Sequence, residues 1–312
     1  MKYLHMEEGD VRPHVSELVI NWHLTEACNY KCRYCYAKWQ DNEKELIHDW
    51  KRTGKLLDEL TSFFHPENTS NLLRQSLTWS GIRLNLAGGE PLLYPKSVLR
   101  VFAQARSAGM NTSIITNGSR LTSELVTQLA PLVSMIGISI DSADTATNQA
   151  IGRVDGRGAL MDVQEVATLL SLARVVNPDV QIKMNTVVNA LNAHEYLGET
   201  LAALSPTRWK VFRMLPVVTN DLAVSAEDFQ AFVARHERHN AVMCVEDNDE
   251  MSESYLMIDP LGSFFQNTKG QQGYSYSRPI DMVGGKQAFR DWRFSVGSFT
   301  SRYLTHAKES GK

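Results

Sequence analysis

Cysteine is scarce in this 312-residue chain: four are present, three of them clustered, so no even disulfide framework can be drawn. That pattern fits a reducing cytoplasm. An excess of charge is missing too. The net charge is −3, and without basicity nothing directs the chain to DNA or RNA. No apolar run reaches the roughly 18 residues that a membrane-spanning helix needs. The first ten residues are polar, with Glu7, Glu8 and Asp10, and carry neither a signal-peptide core nor a long amphipathic anchor. HExxH, GxSxG and P-loop motifs are absent, which weakens metalloprotease, serine-hydrolase and ordinary NTPase readings. Internal repeats and low-complexity tracts are lacking as well. At 43% hydrophobic and 21% charged, the chain has an ordinary globular composition, long enough for one large domain or two smaller ones.

What is present is concentrated. Cys28, Cys32 and Cys35 form C-x3-C-x2-C, with Tyr34 just before the last cysteine. Three thiolates at this spacing can hold three irons of a four-iron, four-sulfur cluster and leave the fourth iron open to a small molecule. A structural zinc site and unlinked core cysteines are the alternatives. Zinc usually takes four protein ligands, and no adjacent histidine completes this set. Cys244 stands apart and reads as a small buried residue.

Hydrophobic spacing predicts strands over 18–24, 82–86, 112–116, 135–140, 180–188 and 208–215. Helical patterns lie between them, at about 42–64, 96–108, from Ser123, 160–175, 194–204 and 226–236. This rhythm predicts an α/β fold of parallel βα units, six before residue 240. A closed eight-unit barrel takes roughly 250 residues, so a partial (β/α)6 barrel fits better; an open doubly wound sheet is the other arrangement. The expected organisation is a polar segment over 1–14, the barrel over 15–240 and a C-terminal extension over 241–312. In that extension Gly262, Gly270, Gly273, Gly284 and Gly285, with Tyr274 and Tyr276, mark a segment that either closes over the barrel mouth as a lid or, over 266–276, lies as a loosely packed tail. Phe289, Trp292 and Phe294 are its expected anchors.

Chemistry in such folds belongs at the carboxyl ends of the strands. The cysteine loop, the turn Gly88-Gly89-Glu90-Pro91, Asn117 and Asp141 all fall there. The glycines permit close backbone approach, and backbone groups with Glu90 could bind an ammonium; a plain strand-to-helix turn is the alternative. Asn117 and Ser139 also suit ordinary turn and cap chemistry. Arg153 follows in a polar loop. Cations recur on strand faces. Arg83, Asn85 and Ala87 share one face, Lys183 and Asn185 another, Arg208 and Lys210 a third. Both faces of an α/β sheet are covered, and these three strands supply no acid on those faces. An unpaired buried charge is costly, so the pattern points to an anionic ligand with several negative charges, such as a triphosphate. The alternative is strand-end side chains reaching out to water.

The cysteine spacing resembles the signature of the radical S-adenosylmethionine (radical SAM) superfamily. The stretches Cys28 to Cys35, Leu84 to Pro91, Thr116 to Ser119, Ile151 to Arg153, Lys183 to Asn189, Arg208 to Phe212 and Ser254 to Leu256 together resemble the viperin family within it, in the same order, over roughly residues 15 to 305. The resemblance implies a [4Fe-4S] cluster on Cys28, Cys32 and Cys35. It implies SAM contacts from Tyr34, Gly88, Gly89, Glu90, Asn117, Ser139 and Arg153, where Arg153 pairs with the SAM carboxylate or with substrate. It further implies a ribonucleoside triphosphate held by Arg83, Ala87, Lys183, Asn185, Arg208, Lys210 and Tyr255. The implied reaction removes the hydrogen at ribose C4′ with a deoxyadenosyl radical and expels the 3′-hydroxyl as water, giving a chain terminator of viral RNA synthesis. A reductant such as flavodoxin or ferredoxin is implied, with no membrane and no direct nucleic-acid binding. Vertebrate members carry lysine and serine where this chain has Arg83 and Ala87, which leaves CTP, GTP and UTP open. A radical SAM enzyme that modifies peptides is the other enzymatic reading, though a peptide does not account for the cationic strands. A non-catalytic iron–sulfur or zinc module is a third.

Overall fold

Along Gln181–Val188, Ile182, Met184, Thr186 and Val188 are buried, whereas Lys183, Asn185 and Val187 keep partial exposure. Neighbouring side chains on a strand point to opposite faces. One face is therefore an apolar seat for helices and the other a polar surface. This strand is β5 of a ten-stranded sheet. The computed structural model describes residues 12–37, 44–268 and 271–300. Most of the expected N-terminal segment, the first residues of the helix expected from 42, Gly270 and the last residues of the C-terminal extension lie outside them.

The strands β1 (His14–His23), β2 (Thr78–Ala87), β3 (Asn111–Thr116), β4 (Met135–Ser139), β5, β6 (Arg208–Arg213) and β7 (Met243–Glu246) lie side by side in chain order, every adjacent pair parallel. The helices between them are α1 (Trp50–Phe64), α2 (Pro95–Ser107), α3 (Ser123–Leu129), α4 (Thr145–Ile151), α5 (Val163–Val176), α6 (Gly198–Leu204) and α7 (Ala226–Arg235). Strand order never reverses from β1 to β7, so the sheet winds as an unclosed partial barrel and has no doubly wound switch point there. The six units expected before residue 240 are present, and β7 follows them in the same sheet.

β8 (Leu256–Ile258) runs parallel to β1 on its far side, and β9 (Ser263–Gln266) and β10 (Ser275–Pro279) follow antiparallel. Among the described residues β7 and β8 are not hydrogen-bonded to each other, so a seam separates them. After β10 come α8 (Ile280–Val283) and α9 (Gly285–Arg290). Phe289 packs near Phe63, Phe64 and Phe264, and Trp292 stacks on Phe264 at 5.2 Å, so the expected aromatic anchors do hold this segment to the body. Of the stretch 266–276, Gln266 ends β9 and Ser275 opens β10.

Boundaries differ from expectation for local reasons. β1 and β2 each begin four residues early, at His14 and Thr78, because their polar first halves pair in register, His14 with Thr78 and Glu17 with Gly81. Val15 and Trp79 are buried within those first halves, but only the later halves carry the apolar runs. α5 begins at Val163, where the Asp162 carboxylate accepts the amides of Gln164 and Glu165.

Candidate active site

The loop after β1 carries the three cysteines, and each later unit contributes a restraint on it. The β2 turn comes first. The amide of Gly89 donates to the Thr25 carbonyl at 2.7 Å and that of Glu90 to the Ala27 carbonyl at 2.8 Å. A Cβ on Gly89 would stand 2.1 Å from the Ala27 oxygen, so only glycine lets the two backbones meet. The Glu90 carboxylate accepts the Thr116 hydroxyl and the amides of Asn117 and Leu92 at 2.7–2.9 Å. Burial still pushes its pKa up, against those donors. From the end of β3, Asn117 donates to the Asn29 side chain at 3.0 Å and points its amide at the Cys28 sulfur, 3.9 Å away. The C-terminus of α4 supplies carbonyls: Gly152 accepts the Lys31 amide and Ile151 the Arg33 amide.

The last restraint is a buried network. The Tyr34 hydroxyl donates to Asp141, and Arg153 reaches both, at 3.2 Å to Asp141 and 3.3 Å to the Tyr34 oxygen. Arg153 also donates to the Ser139 carbonyl, while Asp141 accepts the Val187 amide at 2.9 Å. Arg153 is thus a buried, paired residue and not a solvated loop arginine. Asp141 sits at a strand end, as expected, but its role as the hub was missed: spacing gives a residue's place and not its partners.

Below the loop lies the polar face of the sheet. One layer runs His23, Ala87, then Lys183 and Arg208 in register; the layer above runs Ser139, Asn185, Lys210 and Cys244. Among the described residues Lys183 has no ion-pair or hydrogen-bond partner. Burial, then the nearby charges of Lys210 and Arg208, hold its pKa well below the usual lysine range. The Asn185 side-chain oxygen is buried without a hydrogen-bond partner. His23 is buried edge-on to Tyr36 and Phe265, and desolvation pushes it down to about 3, so it is neutral.

The expectation that the cationic faces have no acid needs correction. Strands β2, β5 and β6 indeed supply none, but their neighbours do. Glu17 on β1 lies 3.4 Å from Arg83, and Glu246 on β7 pairs with Lys210 and accepts the Tyr255 hydroxyl. Arg208 donates to the Cys244 sulfur at 3.3 Å. Glu246 was beyond reach of the sequence because β7 is four residues long with no alternation to reveal it.

The donor set at the cysteine loop suits a cluster. Burial raises the Cys28 thiol, with Glu90 and Cys35 adding to it, and raises Cys32 to about 12, with Asp141, Cys35 and Cys28 adding. All three cysteines lie on the one loop after β1. Yet among the described residues no three His, Cys, Asp or Glu side chains converge as a single-ion site. Ligands spread over several irons stand farther apart than those of one ion.

A profile of the radical SAM superfamily matches residues 22–170. The backbone resembles native anSMEcpe with bound AdoMet at a TM-score of 0.61, covering 91% of this chain and 82% of that one, at 13% identity. The fold and the three-thiol loop therefore define a radical SAM barrel. A protein of Psychrobacter lutiphocae described as an S-adenosylmethionine-dependent nucleotide dehydratase is 42% identical over 92% of this chain and 95% of its own length. One of Pseudoalteromonas ulvae with the same description is 40% identical over 93% and 94%. The chain belongs to the viperin family of S-adenosylmethionine-dependent nucleotide dehydratases. It is an enzyme whose cofactors are a [4Fe-4S] cluster and SAM.

Proposed function

We propose that the chain dehydrates a ribonucleoside triphosphate, CTP, GTP or UTP, to its 3′-deoxy-3′,4′-didehydro analogue, a terminator of viral RNA chains made in prokaryotic defence. The carrying observation is Lys183: a cation on the polar face without an ion-pair or hydrogen-bond partner among the described residues, beside Lys210 and Arg208. Arg83, Lys183, Arg208 and Lys210 hold the phosphates, Asn185 offers its free oxygen to ribose or phosphate, and Tyr255 approaches from the start of β8. Ala87, level with Lys183, leaves room where a hydroxyl would otherwise reach the nucleotide.

Cys28, Cys32 and Cys35 hold the cluster. Gly88, Gly89, Glu90, Asn117, Ser139 and Arg153, with Tyr34, shape the SAM site. The cluster and SAM supply a carbon radical able to take the C4′ hydrogen. The chain's own part is to bring C4′ against that radical and to exclude water and other hydrogen donors. Loss of the 3′-hydroxyl as water, with one electron and one proton, completes the reaction. The reductant is a small carrier such as flavodoxin or ferredoxin. The reaction is cytoplasmic, without membrane or nucleic-acid binding; no helix among the described residues is long and apolar enough to cross a membrane. In the C-terminal extension from 241, β7 to β10 belong to the sheet, so the lid role is assigned to the connections between them.

The test is anaerobic reconstitution, reduction by dithionite, and SAM with ATP, CTP, GTP or UTP separately. A rise in 5′-deoxyadenosine with one nucleotide, together with a product lighter by one water, is the expected result and names the base. Background deoxyadenosine for all four, with the cluster confirmed, overturns the nucleotide reading.

A further inference from the structure

The seam between β7 and β8 is closed by side chains and not by backbone. Glu246, the last residue of β7, is buried and pairs with Lys210 of β6. It also accepts the hydroxyl of Tyr255, the residue just before β8, and Lys210 Nζ lies 3.5 Å from that hydroxyl. β8 is hydrogen-bonded to β1, so this bond joins the two margins of the parallel sheet. Lys183, one layer below, makes no ion pair or hydrogen bond among the described residues, and Glu246 acts on it only at longer range.

We propose that Glu246 is a positioning residue of the nucleotide site, a counter-charge that holds Lys210 and Tyr255 together across the seam until a polyphosphate competes for Lys210. The inference rests on the nucleotide reading above. Two consequences follow from electrostatics. A carboxylate within the phosphate site repels the incoming anion, so it weakens binding while it organises the site. And the ligand that overcomes it must carry several negative charges, which favours triphosphates over monophosphates. Charge and order therefore pull in opposite directions, which no merely structural role would produce.

The experiment compares wild type with Glu246→Gln as reconstituted, anaerobic enzymes of equal iron content. CTP, GTP, UTP and ATP are each titrated calorimetrically, and product formed per 5′-deoxyadenosine is then measured. In the variant we expect the preferred triphosphate to bind about tenfold more tightly, as loss of one nearby negative charge predicts, while product per deoxyadenosine falls by at least about fivefold as C4′ placement loosens. Equal or weaker binding by the variant, when wild type binds, overturns the role of Glu246 alone. Wild type that binds none of the four overturns the nucleotide reading itself. Should Glu246→Gln fail to fold, Tyr255→Phe breaks the cross-seam bond and keeps both charges. Amide exchange over residues 247–255 should then rise several-fold at unchanged iron content, and no rise overturns the latch.

Discussion

The two faces of β5 belong to one strand and obey different rules. Ile182, Met184, Thr186 and Val188 are buried against helices, and the Thr186 hydroxyl is itself satisfied by the Ile140 carbonyl. Lys183 and Asn185, on alternate positions, leave an amine and a carbonyl oxygen without partners among the described residues. A folded chain seldom leaves buried polar groups unpaired. One face has spent its hydrogen-bonding capacity on the fold, and the other leaves part of it unspent among the described residues, as the proposed nucleotide site requires. Mutations should separate the two, with activity following the polar face and stability following the apolar one.

The largest separation is expected at the cysteine loop. Cys32→Ala should abolish cluster loading and SAM cleavage, because two thiolates remain where three are needed. Its melting profile before reconstitution should stay close to wild type, since the loop is held by backbone bonds from Gly89, Glu90, Ile151 and Gly152. Iron analysis and deoxyadenosine release check this, and a fully active variant would refute the cluster assignment. Next comes Met184→Ala. This fully buried side chain leaves a cavity, so unfolding in denaturant should register a loss of about 2–5 kcal/mol. Nucleotide affinity of the folded fraction should not change. An affinity loss as large as the stability loss would mean that the two faces are not separable.

Lys210→Ala reverses that signature. A charge-assisted bond to phosphate contributes about 1.5–3 kcal/mol, so nucleotide should bind roughly 10- to 100-fold more weakly. Glu246 is also left without its cation, adding repulsion. Iron content should be normal. Unchanged nucleotide affinity would remove the anion site.

How much of this was legible follows the same division. The apolar face writes itself into the sequence as runs and periods, so the six strands before residue 240 and their helices could be read from spacing, with ends misplaced where polar residues pair in register. The polar face left a partial trace. Lys183, Arg208 and Lys210 were visible as cations sharing strand faces. The acids beside Arg83 and Lys210 were not, because Glu17 and Glu246 come from other strands and only the sheet order brings them close. Asp141 shows the same limit: its place at a strand end was readable, but its bonds to Tyr34, Arg153 and the Val187 amide depend on three separate loops and strands. The cations alone pointed to an anion with several negative charges, and the family resemblance adds the proposed identity of a ribonucleoside triphosphate.

The smallest effect should come from Lys183 itself. Burial, with Lys210 and Arg208 nearby, holds its folded pKa well below the ordinary 10.5. At pH below the folded value the amine is charged in both the folded and unfolded states, and the folded protein bears the full cost. As pH rises from the lowered folded value toward 10.5, the unfolded chain binds more protons than the folded one, so stability must climb. Substrate-free wild type should show this climb in denaturant melts at rising pH, and Lys183→Met, which keeps length and loses charge, should lack it. The effect is modest because Lys183 retains contact with solvent on the polar face, whereas Met184 beside it is sealed. Nucleotide binding should flatten the wild-type slope, since phosphates supply the missing counter-charge. Parallel curves for wild type and variant without nucleotide would show that Lys183 is already neutralised, and the reserve of unpaired polarity on this face would shrink to Asn185.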